Sequence, residues 1–358
     1  MRRNRPHLFS SFWLVLVIIV FSGCAQTLPQ VELRTYQDAL AQTQEAATQV
    51  LRVYADDVRE NKSNRAKATT ELPPFERTFE LERVFKTQAE LDTVGARLIA
   101  LQTITRYTDL LVTLAEGKSV EQLQNSAGSL IASLETVGGF LSIAPVPGLQ
   151  LATPLLKTVI GELEKARTRE QFRAAVEQGE EIIAKILAFL EGETPLYYRL
   201  AVTLFDVKHG AVIAEVSTSV RDIIGIVASH QAPSDPKLLK NIKEELDKTL
   251  KSMAFKFDAV KLDPQGKTPF SSVAQSQIRR LMEDVKAGAG KEKQLVAALN
   301  AYYQLLKTYV FLLEQTEKSL HGLRIALDKP RDVQAEFENT LRLALRVRQQ
   351  VQALRSNL

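Results

Sequence analysis

Cysteine, tryptophan and histidine are scarce in this chain, and their scarcity excludes several kinds of chemistry. The 358 residues include one cysteine (Cys24), one tryptophan (Trp13) and four histidines. A single cysteine excludes a disulfide within the chain, so the fold depends on packing alone. The histidines downstream of Cys24 are far apart and lack the spacing of metal ligands: His209, His230 and His321. We therefore predict no metal site.

Catalytic motifs are also lacking. The sequence contains neither H-E-x-x-H nor G-x-S-x-G. Two stretches that approach a phosphate-binding loop, at Gly117-Lys118-Ser119 and Gly290-Lys291, lack its first glycine. Acidic pairs such as Glu180-Glu181 are interpreted as solvated helix faces, because adjacent residues on a helix do not face each other. We predict no catalytic residue, no cofactor and no enzymatic activity.

The amino-terminal segment has the pattern of an export signal. Three arginines come first, an apolar run extends from Phe12 to Phe21, and Ser22-Gly23-Cys24 follows. A positive start, a short apolar core and small residues before a cleavage site define such a signal. The uncharged stretch is shorter than the roughly 20 residues that a membrane-spanning helix needs.

The end of this segment resembles the lipobox of bacterial lipoproteins, which usually has leucine where this chain has Phe21. The resemblance implies cleavage after Gly23, a diacylglyceryl group on the Cys24 sulfur, and an acyl chain such as palmitate on the new amine. Several acyl chains give stable membrane anchoring, at about 0.8 kcal/mol per buried methylene. Ala25 stands where an aspartate would favour the inner membrane, so the resemblance implies the outer membrane, facing the periplasm. The alternative interpretation is an ordinary signal peptide with an incidental cysteine.

Removal of the signal peptide changes the charge of the chain. Residues 1–23 hold three arginines and no acidic residue, so the net charge falls from +4 to +1 (4 − 3). A near-neutral body gives no electrostatic reason for nucleic-acid binding. We expect a signal peptide at 1–23, a lipid-anchored tether at 24–29 and a helical domain at 30–358, with an envelope protein as partner and no nucleic acid.

The body of the chain is predicted to be all-α: an elongated multi-helix bundle of about nine helices, several long, antiparallel and coiled-coil-like. A first helix is expected at 30–61, a loop at 61–74 and a long helix at 75–116. Gly117 is predicted to end that helix, and Ser119 with Gln122 to cap the next. The apolar face expected for the helix at 75–116 contains Leu91, Val94, Leu98, Leu101, Ile104, Leu111 and Ala115.

The clearest periodicity lies near the carboxyl terminus. Apolar residues alternate at spacings of four and three, which predicts a coiled-coil-like seam: Leu295, Leu299, Tyr302, Leu306, Tyr309, Leu313, Thr316, Leu320, Leu323 and Leu327. The last helix repeats the pattern with Val333, Phe337, Leu341, Ala344, Val351, Leu354 and Leu358. The short break at 328–330 predicts antiparallel packing of these two helices. The segment 200–216 is ambiguous, and we predict helix rather than a β-hairpin.

The most unusual segment of the body is 127–161, which contains a long uncharged run interrupted by Pro145, Pro147 and Pro154. Prolines remove helical hydrogen bonds, so the run predicts a hairpin of two short apolar arms. Buried core, a membrane-dipping tip and a partner-binding surface are the three interpretations. The candidate contact residues are Phe140, Leu141, Ile143, Leu149 and Leu151.

The arrangement of a helical bundle with an apolar hairpin is similar to that of the cytolysin A type of pore-forming toxins. The likeness covers arrangement and no shared motif. The leading functional expectation is a non-enzymatic, lipid-anchored envelope protein that acts as a helical scaffold or protein-binding module. The alternative is a membrane-active protein that inserts the hairpin near Pro145 and Pro147.

Overall fold

The computed structural model describes residues 30–65, 93–143, 152–230, 236–253, 260–265, 270–328 and 332–357. Within these ranges the protein is all-α, with eight helices and no strand, which confirms the predicted fold class. The helices are α1 Gln30–Arg65, α2 Thr93–Ala115, α3 Val120–Ile143, α4 Ala152–Lys165, α5 Arg169–Ala228, α6 Pro236–Lys251, α7 Ser272–Asp328 and α8 Gln334–Asn357. The first helix passes through positions 61–65, where a loop was predicted.

The boundary between α2 and α3 follows from local capping. Gly117 has a φ of 72°, the left-handed conformation that glycine adopts without strain. The amides of Gly117 and Lys118 donate to the carbonyls of Leu114 and Thr113, which satisfies the end of α2. The Ser119 amide donates to Gln122 Oε1 at 3.1 Å, and the Gln122 amide to Ser119 Oγ at 3.3 Å. The predicted glycine stop and capping box are confirmed.

A second capping box starts α5. The Gln171 amide donates to Thr168 Oγ1 at 3.3 Å, and the Thr168 amide to Gln171 Oε1 at 3.1 Å. This helix extends for 60 residues and contains Pro195 in its interior. Residues 200–216 lie within it, so the prediction of helix over hairpin is confirmed.

The seam on α7 is buried from Leu299 to Leu323. Leu305, Leu312 and Ala326 are also buried, so the covered face is wider than a strict coiled-coil seam and resembles that of a globular helix bundle. The helix also begins at Ser272, well before the periodic stretch.

The last helix and the residue before it bury a regular series whose spacings alternate between four and three: Val333, Phe337, Thr340, Ala344, Val347, Val351 and Leu354. The prediction that Leu341 belongs to this series is wrong, since Leu341 is half-buried and Thr340 is fully buried. Leu358 lies outside the described residues.

A shift of one residue between the predicted and the buried position also occurs on α2, where Leu98 is 37% exposed and Arg97 is 2% exposed. Leu91 also lies outside the described residues.

The described helices form two compact units. Unit 1 draws its described residues from Met1–Glu45, Gly95–Phe189 and Leu312–Leu345. Unit 2 draws them from Ala46–Val94, Leu190–Phe311 and Arg346–Leu358. Helices α1, α5, α7 and α8 each supply a segment to both units.

The carboxyl-terminal helices pack antiparallel in unit 1, as predicted. Thr340 Oγ1 lies 3.4 Å from the Gln315 carbonyl oxygen, Ser319 Oγ donates to the Glu336 carbonyl at 3.2 Å, and Gly322 lies beside Val333. Positions therefore rise along α7 as they fall along α8. The ring of Tyr36 on α1 packs against Phe337, with centroids 4.6 Å apart.

Unit 2 has a core built from α5, α6 and α7. The buried cluster includes Val212, Val216, Ile223, Val227, Ile242, Leu246, Leu250, Ile278, Met282 and Val285. These residues repeat at helical spacing, so each helix turns one apolar face inward.

Candidate functional site

The arms of the predicted apolar hairpin correspond to α3 and α4, which pack against each other. Phe140, Leu141 and Ile143 lie at the end of α3, where no side-chain contacts are described. Pro154 lies in the first turn of α4, where a helix tolerates proline.

Several sequence-predicted positions lie outside the described residues: Cys24, Pro145, Pro147, Leu149 and Leu151. Gly138 and Gly139 lie near the end of α3. A Cβ added at either glycine has no described atom within 4 Å, so neither marks a close contact.

A largely apolar concave surface lies in unit 2, between α5 and α7. It encloses about 340 Å³. We call it the tyrosine groove. Its lining residues are Glu191, Thr194, Pro195 and Tyr198 from α5 and Tyr303, Leu306, Lys307, Val310 and Phe311 from α7.

Helical spacing places these residues together. On each helix the lining positions recur at intervals of three and four, which aligns them along one edge. The two helices run antiparallel here, because Tyr198 pairs with Tyr303 while the later His209 pairs with the earlier Glu292. The rings of Tyr198 and Tyr303 meet edge to face with centroids 5.5 Å apart, and so close one end of the groove.

Pro195 shapes the α5 wall. Proline has no amide hydrogen, so α5 lacks one backbone hydrogen bond at this point. The hydroxyl of the preceding Thr194 donates to the Leu190 carbonyl at 3.1 Å. At this position the α5 wall presents the compact ring of Pro195 in place of a long side chain.

The α7 wall is apolar and partly open to solvent. Leu306 is buried at its base, Val310 is half-buried and the Phe311 side chain is 48% exposed. Lys307 is exposed on the rim, and no carboxylate of the described residues forms an ion pair with it. The groove therefore combines apolar walls with the Lys307 ammonium group on α7 and the Glu191 carboxylate on α5.

A second polar feature of unit 2 is the pair formed by His209 and Glu292. The His209 Nε2 and Glu292 Oε1 atoms are 2.8 Å apart, and the carboxylate side chain is only 3% exposed. The imidazole stacks on Phe205 with centroids 5.2 Å apart. The pair holds α5 to α7, and no group of three potential metal ligands occurs within the described ranges.

Unit 1 has a charged cluster on its surface. Glu180 forms an ion pair with Arg324 and a hydrogen bond with His321, whose Nδ1 lies 2.5 Å from Glu180 Oε1. Arg324 also donates to Glu177 at 3.0 Å. The interpretation of Glu180 as a purely solvated residue is wrong, since it links α5 to α7. Its neighbour Glu181 is exposed and pairs with Lys185 within α5.

Two tyrosines are buried in unit 1. The Tyr107 hydroxyl donates to the Val176 carbonyl at 3.0 Å. Burial raises the pKa of Tyr107 far above its usual range, and the nearby Glu180 charge raises this pKa further. Burial also raises the pKa of Tyr36, and the nearby Thr108 side chain offsets only part of this effect. Both phenols are therefore neutral in the folded protein.

The tyrosine groove was missed by reasoning from the sequence. The available signal was a proline inside a helical stretch with a tyrosine three residues later, at Pro195 and Tyr198. That signal does not identify the facing helix, so it does not reveal a groove.

None of the described helices has the length and apolar character needed to cross a membrane. Comparison with known proteins gives no matching family model, no matching curated protein and no matching solved structure.

Proposed function

We propose that this protein is a non-enzymatic, lipid-anchored protein of the bacterial cell envelope that acts as a helical binding module. Its anchor is Cys24, modified by lipid after cleavage at Gly23. Its location is the periplasmic face of the outer membrane. Its partner is another component of the envelope, and binding proceeds through contact without chemical conversion.

The observation that carries this proposal is the lipobox-like Phe21-Ser22-Gly23-Cys24 after a short apolar run. The only cysteine of the chain lies where lipid would be attached. Attachment would use its thiol, which leaves the body without cysteine chemistry.

The described helices support a binding role in a different way. Unit 2 contains an apolar concavity, the tyrosine groove of about 340 Å³. Ligand sites in helix bundles commonly lie between helices, with an apolar lining and few polar groups. The groove contains no pairing of a nucleophile with a base, which favours binding over catalysis.

Membrane fractionation of cells that produce the protein tests the anchor. The wild-type chain is expected in the membrane fraction, and Cys24→Ala is expected in the soluble envelope fraction. Cys24→Ala retains every described residue, so the helices provide a folding control by circular dichroism. An unchanged distribution between the fractions would contradict the proposed anchor.

The alternative, a membrane-active protein, is favoured by one observation: the uncharged run joins two helices that pack against each other. Dye release from vesicles by the non-lipidated chain tests it. We expect no release. If release occurs, and if a charge introduced at Leu141 or Leu149 abolishes it, the scaffold proposal loses to the alternative.

A further inference from the structure

Charge is unevenly distributed along the chain. Residues 236–293 contain 13 lysines and arginines and eight acidic residues, a net charge of +5 (13 − 8). Residues 24–358 together have a net charge of only +1, so the remainder of that stretch is acidic on balance. The basic region includes α6 and the first part of α7, and both belong to unit 2. An asymmetry of this kind indicates an electrostatic contact with an anionic partner.

The outer face of α6 is rich in lysine. The helix buries Ile242, Leu246 and Leu250 in the core of unit 2. The exposed lysines on the opposite side are Lys237, Lys240, Lys248 and Lys251. The last of them lies 14 positions after the first, which is about 21 Å along the helix axis. Glu244 lies in the middle of this stripe and pairs with Lys240 at 3.7 Å.

The adjacent edge of α7 carries a similar series. Three exposed basic residues recur at intervals of seven, or about two helical turns, and so share one side of the helix: Arg279, Lys286 and Lys293. Glu245 of α6 forms an ion pair with Lys286, so this side of α7 lies beside α6. Lys293 lines the same groove between the two helices as Lys248. Glu283 is an exposed carboxylate on this side of α7.

The two series form one surface with a positive net charge. We call it the basic face, and its cations are Lys237, Lys240, Lys248, Lys251, Arg279, Lys286 and Lys293. Glu244, Glu245 and Glu283 lie among them, so the net charge of the face is +4 (7 − 3). The other charged residues of α6, Lys243 and Asp247, lie on its opposite side and offset each other. Neither Lys248 nor Lys293 forms an ion pair with a described residue.

The residue types of the basic face distinguish between anionic partners. Among the described residues that line the groove between α6 and α7, only Ala289 and Gly290 lack a polar side chain. Protein interfaces bury aromatic anchors and are depleted in lysine and glutamate. A bilayer surface needs no such anchor, because each basic residue near anionic headgroups strengthens binding by roughly fivefold. The basic face therefore fits an anionic membrane surface better than an acidic protein.

We propose that the basic face lies against the anionic headgroups of a lipid bilayer and orients the anchored protein on the membrane. This inference rests on the proposed lipid anchor, which keeps the face within reach of the bilayer, and adds a second membrane contact to it. At cellular ionic strength the Debye length is about 8 Å, so this contact is weak. The lipid retains the protein at the membrane, and a chain without lipid is released.

Cosedimentation with vesicles tests the basic face in the absence of the lipid anchor. The protein is the chain from residue 24 with Cys24→Ala, which keeps every described residue. Binding is expected to vesicles of phosphatidylglycerol and phosphatidylcholine at an ionic strength of about 0.01 M, where the Debye length is about 30 Å. Binding should fall at least about tenfold at about 0.15 M and should be absent with phosphatidylcholine alone.

Two outcomes of this experiment would overturn the inference. One is equal binding to the two kinds of vesicle. The other is no binding of the folded protein to the vesicles that contain phosphatidylglycerol, which is the result expected if the basic face binds an acidic protein. Either outcome leaves the lipid anchor unaffected, because membrane fractionation of Cys24→Ala tests that anchor separately.

Two matched double variants locate the contact. Lys248→Glu with Lys293→Glu reverses two charges of the basic face and should weaken vesicle binding at least about 20-fold. Lys165→Glu with Lys318→Glu makes the same change in net charge at exposed positions of unit 1, and should weaken binding less than about threefold. Equal weakening by the two double variants would show that net charge alone governs binding, which overturns the inference. If the first variant loses its helical signal, Lys248→Gln with Lys293→Gln replaces it, because it adds no charge beside Glu244.

Discussion

At the scale of single residues, polar side chains occupy core positions because their own helix satisfies them. Thr316 is buried, and its hydroxyl donates to the Leu312 carbonyl at 2.7 Å. Thr340 Oγ1 donates to the Glu336 carbonyl at 3.1 Å and lies 2.7 Å from Ser319 Oγ. A buried hydroxyl with such partners avoids the cost of an unpaired polar group.

Two errors of the sequence-based prediction concern polar residues at core positions. In each case the apolar residue of a neighbouring pair was assigned to the core: Leu341 instead of Thr340, and Leu98 instead of Arg97. The helical period predicts that Thr340 and Arg97 face the core. Hydropathy alone predicts that they face the solvent. Strict alternation of four and three along each helix gives the correct position in both cases.

Tyr107→Phe should lower the free energy of unfolding at neutral pH by about 1 kcal/mol, because it removes the hydrogen bond to the Val176 carbonyl. The difference in the free energy of unfolding between the wild type and Tyr107→Phe should shrink at alkaline pH. The folded pKa of Tyr107 is raised, so its stabilising effect is complete below the unfolded value of 10.0 and is lost as the pH rises above it. The Tyr107→Phe variant has no ionisable group at this position, so it does not lose stability in this way.

Urea unfolding at neutral pH and at about pH 10.5 measures both effects. The wild type should lose more stability between these conditions than Tyr107→Phe. An identical loss in the two proteins would mean that Tyr107 ionises in the folded state.

At the scale of elements, long helices dominate because glycine and proline breaks are few and caps are well formed. The breaks at Gly117 and Ser119 were predicted from sequence, since each has a specific local signature. The extension of α1 to Arg65 was not predicted, because a polar stretch does not by itself end a helix. The position of the tyrosine groove depends on which helices face each other, and the sequence does not contain that information locally.

Glycines on α7 offer a test of helix packing in unit 2. A Cβ at Gly288 would collide with Val216 Cγ2, and Val216 is a buried, β-branched residue that has little room to move. A Cβ at Gly290 meets nothing within 4 Å. Gly288→Ala should therefore destabilise the protein by about 1–3 kcal/mol.

The matched variant Gly290→Ala should stabilise by roughly 0.5–1 kcal/mol, because alanine is the better helix former. Urea unfolding of the two variants measures both values. A stabilising Gly288→Ala would show that α5 and α7 do not approach closely at this position.

At the scale of the whole molecule, removal of the proposed signal peptide would leave a near-neutral body. The same removal would eliminate Trp13, the only tryptophan. The all-α class was predictable, because helix formers and apolar periodicity agree along most of the chain. A binding partner was not predictable from the sequence, because contact surfaces on helices have no short motif.

The mature protein purified from membranes should lack tryptophan fluorescence and show only tyrosine emission. The chain that retains its signal peptide serves as the positive control. A tryptophan signal of equal strength in the mature protein would mean that residues 1–23 are still attached.

The central claim is that lipid on Cys24 holds a helical binding module at the envelope, and the mass of the amino-terminal peptide tests it most directly. The protein is extracted from membranes, digested and analysed by mass spectrometry. The account predicts a peptide that begins at Cys24 and carries a diacylglyceryl group on sulfur and an acyl chain on nitrogen. A peptide that begins at Met1, or an unmodified Cys24 in the membrane-derived protein, would contradict it.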